Sequence, residues 1–317
     1  MRGPLPGILL ALLAFALFST HDVIVKLLGR SYAPFQIIFF SVLFSFPIST
    51  FALMRDRTEA NLKPVHPKWV VARTLSAVTS SICAFYAFSV LPLADAYAIL
   101  FASPLLITLL AIPVLGEKVR LRRGLAILVG LAGIIVVLQP GQAELTLGHL
   151  SALVAAICGA FSSVVVRRIG AKERALVLLL YPLMANFVFM GAILPFVYQP
   201  MPVEHLGGVA LVAFLAFMGM TCTIAAYRRA EAALIAPMQY SQILWAILYG
   251  ALIFNEVPSR TTLIGAGIVI ASGLYIVFRE SRAGASDNRP VLRSRSRVAT
   301  PGAMRIGPLM RLRRGGS

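Results

Sequence analysis

ADAYAILFASPLLITLLAIPVLGE, residues 94–117, has a counterpart in ALIAPMQYSQILWAILYGALIFNE, residues 233–256. Each segment is apolar for long enough to cross a hydrocarbon layer of about 30 Å. Each closes on a glutamate, Glu117 and Glu256, which lie 139 residues apart. Cys83 and Cys222 keep that interval, and Tyr86 and Tyr227 nearly do. After one inserted residue, Arg120 aligns with Arg260 and Gly133 with Gly273. The chain therefore reads as two copies of one membrane-spanning unit.

Composition around these segments leads the same way. Of 317 residues, 59% are apolar and 13% charged, with a mean hydropathy of +0.85. Soluble globular chains are nearer about 45–50% apolar and 25% charged. One core of this size cannot hide so much apolar surface from water. These proportions exclude a soluble enzyme, a secreted disulfide scaffold and a disordered chain. Cys83, Cys158 and Cys222 all sit in apolar runs with no CxxC pair, so they read as small buried residues; no metal site or cofactor is expected.

Ten spans are predicted: Leu5–Leu28, Ala33–Met54, Trp69–Leu91, Leu93–Leu115, Gly124–Gln139, Gly148–Val166, Ala175–Tyr198, Leu206–Tyr227, Ala232–Phe254 and Thr262–Phe278. The first is read as an uncleaved helix, because its apolar run reaches Leu28 and further spans follow. Alternating ten-residue strands, the mark of a membrane barrel, are absent. With the N-terminus in the cytoplasm, 26 of the 29 Lys and Arg fall on the cytoplasmic side and only Lys26, Arg30 and Arg260 outside. That asymmetry predicts cytoplasmic N- and C-termini. It also accounts for the net charge of +17 without a nucleic-acid partner: residues 279–317 alone hold ten Arg, in a Gly-, Ser- and Pro-containing stretch read as a disordered cytoplasmic tail able to lie on membrane lipid.

The expected fold is therefore an all-α integral membrane protein, with one five-helix repeat at residues 5–139 and a second at 148–278. An odd number of spans per repeat inserts the second copy upside down. Inverted repeats of this kind build transporters with a binding site near the bilayer midplane.

The stretch LPLADAYAILFASPLLITLLAIPVLGEKV (91–119), with proline in mid-helix and Gly-Glu at its end, resembles the drug/metabolite transporter superfamily, specifically its ten-helix EamA-type family. The second copy, with Ala236-Pro237 and Asn255-Glu256, carries the same pattern, except for Asn where the family usually has Gly. The resemblance covers roughly residues 5–280 and leaves the tail unmatched. It implies helices 1, 3, 4, 6, 8 and 9 around a central cavity. It also implies import or export of small organic solutes such as amino acids, nucleoside-like metabolites, vitamins or drugs across a bacterial inner membrane. Members differ so widely in substrate that the resemblance names no solute.

Polar residues at membrane depth are costly and so mark candidate sites. Asp22 reads either as a solute-amine or proton-coupling site, or as a structural partner of Lys26 one turn along the same helix face. His21 points about 100° away from it and need not face the same space. Gln239, Gln242, Trp245 and Tyr249 form a stripe suited to hydrogen-bonding and stacking a planar solute, or to helix packing and an interfacial belt. Tyr97, Ser103 and Thr108 on the fourth span are further binding candidates, as are Tyr86, Ser162 and Asn186; hydroxyls and amides also join helices. Asp95, at a helix start, suits the helix dipole or the electrostatics of a cavity. Glu117 and Glu256, at helix ends near basic residues, are read as surface salt bridges or gate latches. Pro104 and Pro237 are read as kinks at non-equivalent repeat positions. The Gly-rich fifth and tenth spans read as scaffold.

The expected activity is secondary transport of a small organic solute by alternating access, with Asp22 or a charge on the solute coupling movement to protons. No Walker sequence supports ATP-driven pumping. A lipid-carrier flippase is the principal alternative. A polytopic transferase is the lesser one, because no nucleophile–base set and no HExxH are present. Monomer and homodimer both stay open.

Overall fold

The computed structural model describes residues 5–54, 63–116, 121–140, 145–170, 172–230 and 232–281. The segment around Glu117 and the tail from residue 282 lie outside the described residues. The described chain is helical throughout, without a strand. Its elements are α1 (Leu5–Gly29), α2 (Pro34–Met54), α3 (Pro67–Val90), α4 (Leu93–Leu100), α5 (Ser103–Leu115), α6 (Leu121–Leu138), α7 (Leu147–Ile169), α8 (Ala175–Val197), α9 (Val203–Arg229), α10 (Ala232–Ile235), α11 (Gln242–Tyr249) and α12 (Arg260–Ser281). A 3₁₀ turn, Ala236–Ser241, joins α10 to α11, and a π turn, Gly250–Phe254, follows α11. Seven helical stretches are long and apolar enough to cross a membrane, counting 93–115 as one, and two shorter apolar helices lie at 34–47 and 124–138.

The side chains left outward agree with a lipid solvent. Leu125, Leu128 and Ile135 of α6 recur at helical spacing and are exposed, as are Leu5, Leu9 and Leu13 of α1. Water would penalise such stripes, whereas lipid does not. The inward faces form one large apolar cluster drawing on α1 to α9, α11 and α12, and satellite clusters sit at α1–α9 and α3–α7–α8.

The most extensive contacts pair α1 with α9, α3 with α7, and α6 with α12; α5 lies along α7, and α2 along α8. The α6–α12 crossing is close because glycines meet there. A Cβ on Gly265 would lie 2.6 Å from the Gly133 carbonyl oxygen, and one on Gly133 would lie 3.0 Å from that of Gly265.

Two predicted spans are broken. The segment 93–115 interrupts at Phe101–Ala102, just before Ser103-Pro104. Pro104 has no N–H to offer the Leu100 carbonyl. The Ser103 hydroxyl donates to that carbonyl instead, at 2.6 Å. The segment 232–254 interrupts in its 3₁₀ turn, which begins at Ala236-Pro237. The breaks fall 139 residues apart, between Phe101 and Tyr240, and these two rings meet edge to face at 5.1 Å. Reading the prolines alone as kinks placed the irregularities at unrelated positions; the backbone aligns them.

Both broken segments also end alike. Gly116 caps α5 with φ 70°, and Asn255, 139 residues later, follows the π turn with φ 54°. Both sit in the left-handed region, where glycine is easiest and asparagine the common substitute. This accounts for Asn255 standing where the family pattern has Gly. The turn folds the chain back so that the Glu256 N–H reaches the Gly250 carbonyl at 2.9 Å.

Candidate functional site

On α1, Ser19, Asp22 and Lys26 recur at helical spacing along one buried face, and His21 is buried beside them. Asp22 is 1% exposed. Leaving a carboxylate so deep without partners would cost several kcal/mol, about the effective burial penalty of one ion. Its partners are supplied across helices. The Tyr97 hydroxyl of α4 donates to Asp22 Oδ2, and His21 Nδ1 lies 2.8 Å from Oδ1. Their angular separation on α1 leaves open whether His21 and Asp22 share one space; the two side chains meet.

Tyr97 is the hub. Its hydroxyl has one proton to give and lone pairs to accept with. It gives that proton to Asp22, receives Gln242 Nε2 of α11 at 3.3 Å, and lies 3.4 Å from Ser19 Oγ. Its ring is held between Phe88 of α3 and Phe101, with centroids 5.4 and 5.8 Å away. Phe85 of α3 meets the His21 ring edge-on at 5.9 Å. One helix turn along α11, Trp245 stacks on Tyr249 at 5.8 Å. The Thr20 hydroxyl donates to the Ala16 carbonyl at 3.0 Å, so across the 2.9 Å contact between Thr20 and Tyr249 it is the Tyr249 hydroxyl that donates. Side chains of α1, α3, α4 and α11 thus converge on one carboxylate, flanked by aromatic rings and amide and hydroxyl groups. Such a set can receive a cation, hold a proton, and stack a planar group.

Lys26 has a different partner from the one its spacing offered. A pair with Asp22 along α1 is one of the two readings of that spacing. The ammonium instead ion-pairs with Glu256, 230 residues away, and donates to the Leu91 carbonyl at 2.7 Å. Glu256 also accepts the Leu93 N–H at 3.3 Å.

The remaining candidates sit as follows. Ser103 is committed to its own turn, as is Thr108, which donates to the Pro104 carbonyl at 3.0 Å. Tyr86 is half-buried on α3, one residue beyond the Phe85 that meets His21. Gln239 is half-buried in the 3₁₀ turn. Ser162 is buried on α7, and Asn186 donates to Pro182 within α8 at 3.0 Å. Asp95 accepts a 2.6 Å hydrogen bond from Thr262, which ties α4 to α12. Glu117 lies outside the described residues. Among those described, no three His, Cys, Asp or Glu side chains group as a metal site. Sequence reasoning missed Ser19, Thr20, Phe85 and Phe88. The signal for the first two was the run Ser19-Thr20-His21-Asp22 inside an apolar helix; for the two phenylalanines there was none.

Comparison with known proteins adds a family. Residues 5–139 and 146–278 each match the EamA-like transporter family. An S-adenosylmethionine uptake transporter of Rickettsia prowazekii is 27% identical over 90% of this chain and 97% of its own length. A pseudopaline exporter of Pseudomonas aeruginosa is 24% identical over 84% and 94%. A protein of known crystal structure shares the fold with a TM-score of 0.55 at 20% identity, over 87% of this chain and 99% of its own.

Proposed function

The chain belongs to the EamA-like transporter family, so it is a small-molecule transporter of the membrane and not an enzyme; from that premise we propose that it moves a small organic cation or zwitterion by alternating access around Asp22. One observation carries the reading: a fully buried carboxylate sits where α1 and α4, from the first matched stretch, meet α11 from the second. Movement between the stretches would remake the surroundings of that group.

In this reading ten spans form two inverted five-helix repeats around a central cavity, with both termini in the cytoplasm of a bacterial cell and the protein in its inner membrane. The packing supports it. Exchanging the stretches turns the α1–α9 contact into α7–α3, and leaves α6–α12 and α2–α8 unchanged. Phe101 touching Tyr240 supports it too, since a residue can meet its repeat counterpart only at the symmetry axis. For inverted repeats that axis lies in the membrane plane, and in this reading Asp22 would stand within a turn or two of the midplane.

Asp22 would receive a cationic group of the solute and, between solutes, a proton. Trp245 and Tyr249 would stack its planar portion, and Gln242 would orient it. S-adenosylmethionine, the solute named for one relative, has an ammonium, a sulfonium and an adenine ring, and so fits this donor set. The test is a thermal-shift screen of the purified protein against amino acids, nucleosides, vitamins, amines and S-adenosylmethionine, followed by proteoliposome flux of any stabilising solute across imposed pH gradients. At about 100 times Kd a ligand adds about 2.7 kcal/mol to apparent stability. We expect stabilisation by a cationic or zwitterionic solute, and flux that follows the pH gradient and is lost in Asp22→Asn. Stabilisation by none of these, or equal pH-independent flux in the mutant, would contradict the reading.

A further inference from the structure

A second polar cluster forms where α1 and α3 end, α4 begins and the π turn closes. There the Glu256 carboxylate joins four elements. One oxygen takes Lys26 of α1, while the other takes the Leu93 N–H at the start of α4. Lys26 in turn holds the Leu91 carbonyl at the end of α3. The Phe254 ring lies between two cations, 4.8 Å from Lys26 Nζ and 5.0 Å from the Arg30 guanidinium. The Lys26 side chain is 5% exposed and that of Glu256 25%.

We infer that the Lys26–Glu256 pair is a gate: it closes the extracellular end of the path to Asp22, and must break for solute to pass on that side. Three features lead there. First, Lys26 stands one turn from Asp22 on the same face of α1, so whatever seals Lys26 covers Asp22 from that end. Second, the pair bridges the two matched stretches, so that rocking one against the other pulls directly on it. Third, Glu256 is aimed by an irregular helix end. The π turn and the left-handed Asn255 end the helix, and π turns inside helices recur at functional sites.

The opposite end of the bundle is held differently among the described residues. There Arg168 of α7 donates to the Val114 carbonyl of α5 and lies 4.5 Å from the Trp69 ring, and His66 meets Glu173. Arg168 is exposed, and exposed contacts of this kind are weak. The Glu173 carboxylate is buried there and also accepts the His66 N–H, so each end of the bundle carries a tie of its own.

The inference rests on the alternating-access reading, but its test needs no solute. Spin labels are placed at Leu27 and Leu252, both exposed beside the pair, with Cys83, Cys158 and Cys222 changed to Ser. Distances are then measured by pulsed electron resonance in nanodiscs. The otherwise unaltered protein is expected to show one short distance. In Glu256→Gln and in Lys26→Met, a longer-distance population should rise at least about tenfold, and the exchanged pair Lys26→Glu with Glu256→Lys should restore the short distance. Using both single variants covers the case in which one fails to fold. Unchanged distances in the single variants, or no restoration by the exchange, would overturn the gate. A gate that opens while no solute is carried would instead count against the transport reading alone.

Discussion

The broken segments 93–115 and 232–254 share a backbone and differ in chemistry. Both interrupt at equivalent residues, both end on a left-handed residue, Gly116 or Asn255, and their central rings, Phe101 and Tyr240, touch. In the first, the hydroxyls of Ser103 and Thr108 are spent on its own carbonyls, while Tyr97 reaches Asp22 and Asp95 reaches Thr262. In the second, Gln242, Tyr249 and Glu256 all reach out to other helices. The lesson is that a duplicated frame can hold its geometry while its two copies spend their polar side chains differently. The proline that enforces each break need not stay in place, because a neighbouring hydroxyl or a 3₁₀ turn satisfies the carbonyls that it frees.

The comparison breaks most severely at its hub. Tyr97→Phe removes the donor to Asp22 and the acceptor for Gln242 together. Hydrogen bonds to charged groups contribute about 1.5–3 kcal/mol, so solute affinity should fall about 10- to 100-fold, measured by binding titration. Gln242→Leu, on the second segment, removes only a neutral bond of about 1 kcal/mol, and should cost about fivefold in the same titration. Equal losses would mean that both segments hold the solute alike.

Smaller effects fall on stability. Ser103→Ala leaves the half-buried Leu100 carbonyl without its donor, which should cost about 1 kcal/mol, read as a lower unfolding temperature with solute affinity unchanged. Asn255→Val forces a β-branched residue into the left-handed region at about 1–2 kcal/mol, while Asn255→Gly should be neutral or slightly stabilising in the same melt. If Asn255→Gly destabilised the protein as much as Asn255→Val, the side chain rather than the backbone angle would be what Asn255 supplies.

Much of this frame was legible. Apolar run lengths located the helices to within a few residues, because lipid demands them. The paired glutamates and the 139-residue interval located the two related segments. The interruptions were less legible: proline announces a freed carbonyl but not how the chain satisfies it, and Ser103 does so within its own turn whereas Pro237 opens a 3₁₀ turn. The site was legible as residue types and not as partnerships. Asp22, Tyr97 and Gln242 each stood out as polar residues in apolar helices, yet spacing along α1 favoured Lys26 as the partner of Asp22. Long side chains choose partners across helices, and single-helix periodicity is silent about that choice. Phe85 and Phe88 passed unnoticed because an aromatic residue in an apolar helix is unremarkable until its neighbours are known.

The central claim is that one buried carboxylate faces each side of the membrane in turn. It is tested most directly by placing a lone cysteine at Ser19, beside Asp22, and treating sealed, oriented vesicles with a membrane-impermeant thiol reagent from one side and then from the other. The account predicts labelling from both faces, and protection from both by a bound solute. Labelling from one face only, whatever the solute, would contradict it.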